Sequence, residues 1–210
     1  MSVIRLTTLW RVAGPGYVLR FLARRFMRVS RHVVYEAWID DVAAPGWPEG
    51  TTVVTVSEEV EAADIPTIQD NLRSRNIQYL EGIRDGDAVG VFVLEGDALI
   101  HWGFLMRGSR TSALLGEGRD EILLGNAFTH PAYRGRGLQT CSLRQRLYEC
   151  QSLGYDRALA ETEPDNWASR RAMERVGFTL VREVTLIVLL NRLVFRRTWA
   201  GRSVRTFGFC

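Results

Sequence analysis

The chain has 210 residues, of which 46% are hydrophobic and 24% charged, enough to bury the core of one domain that carries an extension. All 27 cationic side chains are Arg, which excludes chemistry that needs a Schiff-base Lys or the Lys of a Walker motif. No apolar run approaches the ~18 residues of a membrane-spanning helix. The three cysteines have no metal-ligand spacing, so we expect a cytoplasmic protein without a metal site.

Charge is distributed unevenly along the chain. Residues 1–31 contain seven Arg and no acidic residue, and residues 182–210 contain six Arg and one acid. Residues 32–181 contain 23 acids and 14 Arg. We therefore expect an acidic central region between two basic ends.

The basic N-terminal region has helical periodicity over residues 16–31. One stripe is apolar and the opposite stripe is basic, and their members are Leu19, Leu22, Phe26 and Val29 against Arg20, Arg24, Arg28 and Arg31. Such a helix either packs its apolar stripe on the domain or lies on an anionic membrane surface, and both interpretations stay open. With a strand predicted over 32–39, this helix makes residues 1–44 a basic amphipathic extension.

The remaining pattern predicts a mixed α+β domain over residues 45–199, followed by a basic tail over 200–210. Strands are predicted over 51–56, 88–94, 98–106, 121–128, 157–162 and 179–190, with residues 191–199 able to pair with the last of them. Helices are predicted as two short pieces between 58 and 84, and over 138–153 and 166–176. The order predicts a central twisted sheet of about seven strands flanked by helices.

A glycine-containing turn, Thr129–Gln139, connects a predicted strand to a predicted helix and reads THPAYRGRGLQ. The first N–H groups of a helix are unpaired and its dipole favours an anion, so this turn predicts a phosphate site. The alternative is an ordinary strand-to-helix turn whose Arg134 and Arg136 side chains lie in solvent.

Four segments in order resemble the GNAT superfamily of N-acyltransferases over residues 51–195. They are the strand 121–128, the run HPAYRGRGLQ, the strand RALAET, and the ending that contains Asn166, Ser169, Glu174, Gly177 and Phe178. The resemblance implies the GNAT fold and transfer of an acetyl or other acyl group from acetyl-CoA, or another acyl-CoA, to a primary amine.

The resemblance also implies which residues hold the acyl donor. By this resemblance, the pyrophosphate is bound by the backbone amides of Arg134, Gly135, Arg136, Gly137, Leu138 and Gln139. The pantetheine arm is bound by Ala127, Phe128 and Thr129, and Asn166 and Ser169 are further cofactor-binding residues.

Two departures from the family pattern [Q/R]-x-x-G-x-[G/A] and its ending bear on the chemistry. Read from Arg134, the last small position is Gln139; read two residues earlier, both glycines fit but the first position is Ala132. The Tyr that the family often uses to protonate the departing thiolate is Met173 here, and Met cannot donate a proton. Water, Tyr133 and Ser169 are the alternative proton donors, and release of an unprotonated thiolate is a further alternative.

Glu121 is the candidate general base. An amine with a pKa near 10.4 is mostly protonated at pH 7, and converting it to the neutral nucleophile costs roughly 4.6 kcal/mol. A nearby carboxylate can take that proton, and Glu121 resembles the catalytic Glu of histone-acetyltransferase-like members in position. The alternative is a solvent-exposed Glu at the start of a strand.

The acceptor cannot be identified from the sequence. The acceptor amine belongs to a small molecule or to a protein. The acyl donor is either acyl-CoA or an acylated carrier protein, and in the second case the acceptor is an amino acid or an amino sugar. A third interpretation is a non-catalytic module that binds acyl-CoA or acts as a membrane-surface scaffold. A homodimer is one possible assembly, and no nucleic-acid partner is expected.

Overall fold

The computed structural model describes residues 27–57, 77–108, 115, 121–189 and 193–199. The chain divides into two compact units. One is Val33–Arg182, and the other combines Met1–His32 with Glu183–Cys210.

The elements follow the predicted order. The strands are β1 (Met27–Trp38), β2 (Thr52–Val56), β3 (Ala88–Glu95), β4 (Ala98–Arg107), β5 (Ile122–Thr129), β6 (Arg157–Thr162), β7 (Thr179–Leu189) and β8 (Leu193–Trp199). The helices are α1 (Ile77–Arg84), α2 (Leu138–Ser152) and α3 (Trp167–Arg175), with a 3₁₀ turn at Pro131–Tyr133. Residues 58–76, which hold the first of the two predicted short helices, lie outside the described residues.

Strands of the unit Val33–Arg182 form a mixed sheet in the order β2-β3-β4-β5-β6-β1. The pairs β2–β3, β3–β4, β4–β5 and β6–β1 are antiparallel, whereas β5 and β6 are parallel. Parallel neighbours need a crossover connection, and α2 supplies it. The predicted mixed α+β architecture is confirmed.

The helices cover both faces of this sheet. Leu143 and Leu147 of α2 belong to the buried cluster that includes Leu105 and Leu124 on one face. On the other face, Tyr79 of α1 stacks on Phe104 with the ring centroids 5.0 Å apart. Burial of these apolar side chains is the main stabilising contribution to the sheet.

The second unit contains the antiparallel hairpin of β8 with the part of β7 from Glu183 onward. Its register runs from Glu183 opposite Trp199 to Leu189 opposite Leu193. The predicted pairing of residues 191–199 with the preceding strand is therefore confirmed from Leu193 onward.

The predicted helix over residues 16–31 is wrong in its last five residues. Met27–Arg31 lie in β1, where every one of them is exposed. Within the second unit, Arg31 pairs with Glu183 at 3.6 Å. Strand pairing overrides the helical periodicity here, since propensity is a weak prior against tertiary context. Val29, Arg28 and Arg31 of the two predicted stripes therefore lie on a strand. The remaining residues of the predicted helix lie outside the described residues, as does the tail 200–210.

Within the part of the chain that the structure describes, no helix is both long and apolar enough to cross a membrane.

Candidate functional site

The site begins where β5 and β6 stop pairing. Their parallel register joins Ile122, Leu123 and Leu124 to residues 158–160 and extends no further among the described residues. On its other edge, β5 has a bulge, because two residues of β5 lie between the pairs Phe104–Gly125 and Trp102–Phe128 where β4 has one. A bulge bends a strand and interrupts its pairing, so the end of β5 separates from β6.

Asn126 lies within this bulge and has a φ of 50°. Asn is among the few non-Gly residues that enter the left-handed region readily. Its side-chain amide donates to Met106 Sδ at 3.4 Å.

The turn after β5 is shaped by its own side chains and glycines. The His130 Nδ1 atom accepts from the Ala132 N–H at 3.3 Å, and Pro131 begins the 3₁₀ turn. Gly135 and Gly137 have φ values of 83° and 79°, a conformation that favours glycine. Glycine is therefore favoured at both positions.

Five consecutive amides are left open where α2 begins. The Arg134 amide closes the 3₁₀ turn on the Pro131 carbonyl at 3.4 Å, and the Thr140 and Cys141 amides donate to Gly137. Between these positions, none of the amides of residues 135–139 has a backbone hydrogen bond within the described part of the chain. Open amides at a helix N-terminus form a site for an anion.

A cavity of about 500 Å³ lies beside these amides. It is lined by Ala127, Phe128, Thr129, Tyr133, Arg134, Gly135, Gly137, Leu138, Gln139, Thr140, Asn166, Ala168, Ser169, Ala172 and Arg175. The structure thus brings together ten of the eleven residues predicted to bind the cofactor, and places Tyr133 with them. Arg136 is not among the lining residues; its guanidinium pairs with Glu95 at 2.7 Å and lies 5.5 Å from the centroid of the Tyr133 ring.

Sequence reasoning missed four lining residues. They are Thr140, Ala168, Ala172 and Arg175. The last three recur at i, i+4 and i+7 on α3, so helical periodicity counted from Ala168 would have placed them on one face. Arg175 adds a second cation to the cavity beside Arg134.

Asn166 has a structural role as well as a place in the cavity. Its Oδ1 atom accepts from the Ser169 N–H at 3.2 Å and caps α3. The cap holds the side chain of Asn166 at the cavity wall, because any rotation of the side chain would break its hydrogen bond to the Ser169 N–H.

Glu121 lies away from the cavity. Its carboxylate forms an ion pair with Arg157, which also contacts Glu36 at 2.9 Å. The parallel register explains this pair, because Ile122 faces Ala158 and so the preceding residues of the two strands are neighbours. At ~3.3 Å per residue, Glu121 lies roughly 20 Å along the strand from Ala127.

Met173 is 3% exposed and packs in the core beside Phe178. It contributes neither a proton donor nor surface to the cavity. Among the alternative donors, Tyr133 and Ser169 both line the cavity.

A buried polar group lies behind Thr129. His101 is fully buried, and its Nδ1 atom lies 2.8 Å from Thr129 Oγ1. Burial, aided by the charge of Arg146, lowers the pKa of His101 to about 3. Arg146 on α2 is itself buried, and this lowers its pKa to about 10. At neutral pH the imidazole is uncharged and the guanidinium is charged.

Comparison with known proteins agrees with this geometry. Residues 109–179 match the family model described as "Acetyltransferase (GNAT) domain". No curated protein sequence matches the chain. About a third of the chain therefore matches a GNAT acetyltransferase domain, in agreement with the resemblance.

Three solved structures illustrate the similarity of fold. The tandem GNAT protein from the clavulanic acid biosynthesis pathway has a TM-score of 0.56 at 15% identity, covering 84% of this chain and 58% of its own. A GCN5-related N-acetyltransferase from Sphaerobacter thermophilus has a TM-score of 0.51 at 16% identity, and the match covers 94% of this chain and 59% of that protein. A GNAT-family acetyltransferase from Colwellia psychrerythraea has a TM-score of 0.51 at 15% identity, and the match covers 85% of this chain and 63% of that protein. The chain spans about three fifths of the length of these proteins, and similarity at this identity concerns the fold.

Proposed function

We propose that this chain is an N-acyltransferase that binds an acyl-CoA in the cavity beside α2 and transfers the acyl group to a primary amine. The observation that carries the proposal is the run of five open amides, from Gly135 to Gln139, at the wall of that cavity. A diphosphate is the anion that needs several converging N–H donors rather than one strong cation.

The residues present fit such a ligand. The open amides and the guanidinium groups of Arg134 and Arg175 would hold its phosphates. Ala127 and Thr129 line the cavity at the bulged end of β5, beyond the last pair of β5 with β6 among the described residues, so the backbone there can pair with the amide groups of an extended arm. When bound, acyl-CoA supplies the acyl group as an activated thioester.

The reaction also needs an acid to protonate the departing thiolate and a base to deprotonate the amine. Tyr133 has a phenolic O–H at the cavity wall and is the proposed acid. Glu121 remains the predicted base, although its ion pair with Arg157 gives it a structural role that stands without catalysis.

Burial of Met173 supports a second candidate, a module that binds acyl-CoA without turnover. The chain has an apolar core residue where the family often has its acid, so binding would be retained and catalysis lost. This candidate predicts CoA affinity with no thiol release for any amine.

The test is a thiol-release assay with the full chain. Donors would be acetyl-CoA, longer acyl-CoA species and an acylated carrier protein, each offered to amino acids, amino sugars and peptides. Amine-dependent thiol release supports the enzyme and identifies the acceptor class. CoA binding by calorimetry without release on any acceptor supports the module, and failure to bind any donor contradicts both.

A further inference from the structure

His101 and Arg146 form a buried pair that neither packing nor the proposed binding of acyl-CoA explains. His101 is completely buried and Arg146 is 1% exposed. Burying a charge is costly unless it is paired, and a carboxylate is the usual partner of a buried Arg. No ion pair to Arg146 is present among the described residues; its Nε donates to the Ser142 carbonyl at 3.1 Å and its Nη1 to the Phe104 carbonyl at 3.4 Å.

Gly103 provides the space for this guanidinium. A Cβ atom at Gly103 would lie 2.9 Å from the Arg146 Cζ atom, so the guanidinium occupies the place of the missing side chain. His101 and Gly103 are two residues apart on β4 and share one face of the sheet. The guanidinium therefore lies on the same face of the sheet as the imidazole, close enough for its charge to contribute to the lowered pKa of His101.

The unpartnered atoms of the pair are complementary. Buried His101 Nε2 and Arg146 Nη2 both lack a hydrogen-bond partner within the described residues. A guanidinium can only donate, whereas a neutral imidazole has one N–H and one lone pair. Beside a buried cation, the lone pair of the imidazole is favoured on Nε2, and its proton is favoured on Nδ1.

The proton on Nδ1 decides what Thr129 does. The only hydrogen bond of the Thr129 hydroxyl in the described part of the chain is the one to His101 Nδ1. If Nδ1–H donates to Thr129 Oγ1, the hydroxyl keeps its own proton for another acceptor. Thr129 lines the cavity, so a ligand bound there is within reach as that acceptor.

We propose that Arg146 holds His101 as the Nδ1–H tautomer, so that the Thr129 hydroxyl donates into the cavity to a carbonyl oxygen of the bound acyl donor. This inference rests on the proposed function for the identity of the ligand, but the tautomer is a property of the chain by itself. Thr129 is the residue that contacts the ligand, while His101 and Arg146 are positioning residues.

The first test is nitrogen NMR of the full chain labelled with ¹⁵N. The chain has three histidines, and the exposed His130 and half-buried His32 can each be replaced by Gln to leave the signals of His101 assigned. We expect a protonated Nδ1 and an unprotonated Nε2 on His101. A protonated Nε2 would overturn the proposal.

The second test measures CoA affinity by calorimetry in a matched pair of Thr129 variants. Thr129→Val keeps the shape and removes the hydroxyl, and we expect about a fivefold loss of affinity, as for one hydrogen bond. Thr129→Ser keeps the hydroxyl and should bind CoA about as well as the native chain. Equal affinity of the native chain and Thr129→Val would overturn the donor role. If the native chain binds no CoA, the proposed function fails, while the NMR result still decides the direction of the hydroxyl.

Discussion

The two ends of β5 differ in how their polar groups are satisfied. At its start, Glu121 pairs with Arg157, which also holds Glu36, so opposite charges satisfy one another. At its other end the strand bulges, leaves β6 and is followed by five amides without a backbone partner in the described residues. The charges at the first end are satisfied within the chain, whereas the second end has N–H donors free of backbone partners. This difference is the basis for proposing that a ligand binds at the end of the strand that runs into α2.

The largest effect should come from the glycine turn. Gly137→Ala forces a side chain into a left-handed conformation that costs about 1–2 kcal/mol, and relaxing that strain moves the open amides apart. We expect CoA affinity to fall at least about tenfold in calorimetry.

Gly154→Ala is the matched control for this substitution. Gly154 has a φ of 81° against 79° for Gly137, and a Cβ at either position meets no atom within 4 Å. Gly154 follows α2 and does not line the cavity. Equal losses of affinity in the two variants would show that strain alone is responsible and that the turn is not the site.

A pH effect of intermediate size should come from the buried polar group behind the cavity. The folded chain keeps His101 neutral down to about pH 3, whereas the unfolded chain protonates it near 6.5. Between these values the unfolded state binds one more proton, so stability falls by about 1.4 kcal/mol for each unit that the pH falls.

Urea unfolding of the native chain and of His101→Gln measures this slope. The native chain should lose more free energy of unfolding between pH 6 and pH 5 than the variant does. Parallel slopes would mean that His101 is protonated in the folded chain.

A smaller effect should come from the cations at the cavity. Arg175→Gln removes one exposed charge at the wall, for which we expect about a twofold to fivefold loss of CoA affinity at low salt. Arg171→Gln removes another exposed charge of α3, one that does not line the cavity. Added salt should reduce the difference between the two variants, because it screens exposed charges; equal affinities at low salt would exclude Arg175 from the site.

The smallest effect on binding should come from the other end of β5. Glu121→Gln breaks a half-exposed ion pair, and we expect about 0.5–1 kcal/mol less stability with unchanged CoA affinity. Glu163→Gln, at an exposed position after β6, is the control. A fall in acyl transfer at neutral pH that is partly recovered at high pH would identify Glu121 as the base, and an unchanged profile would leave it a structural role only.

The same contrast explains what the sequence could and could not predict. Local signals predicted the strands, α2, and the turn, since Gly135 and Gly137 mark a backbone conformation by themselves. The cavity residues of β5 and α3 came from family resemblance, because their proximity depends on where β5 leaves β6. The helix predicted through Arg31 failed, since a period of 3.6 in a short basic segment does not reveal strand pairing.

Contacts between distant residues were beyond sequence reasoning altogether. Glu121 and Arg157 are neighbours only because β5 and β6 run parallel in one particular register. The space that Gly103 leaves for Arg146 depends on α2 packing over β4, which no local pattern encodes. His101 reaches Thr129 behind the cavity only because the register of β4 with β5 places the two residues opposite one another.

The central claim is that the open end of β5 and the start of α2 bind CoA, and amide NMR during a titration with CoA tests it most directly. We predict that the amide signals of residues 127–129 and 135–139 shift together and saturate, while those of Glu121 and Arg157 stay in place. Saturable shifts confined to the Glu121 end, or no shifts at CoA concentrations well above those of a cell, would contradict the account.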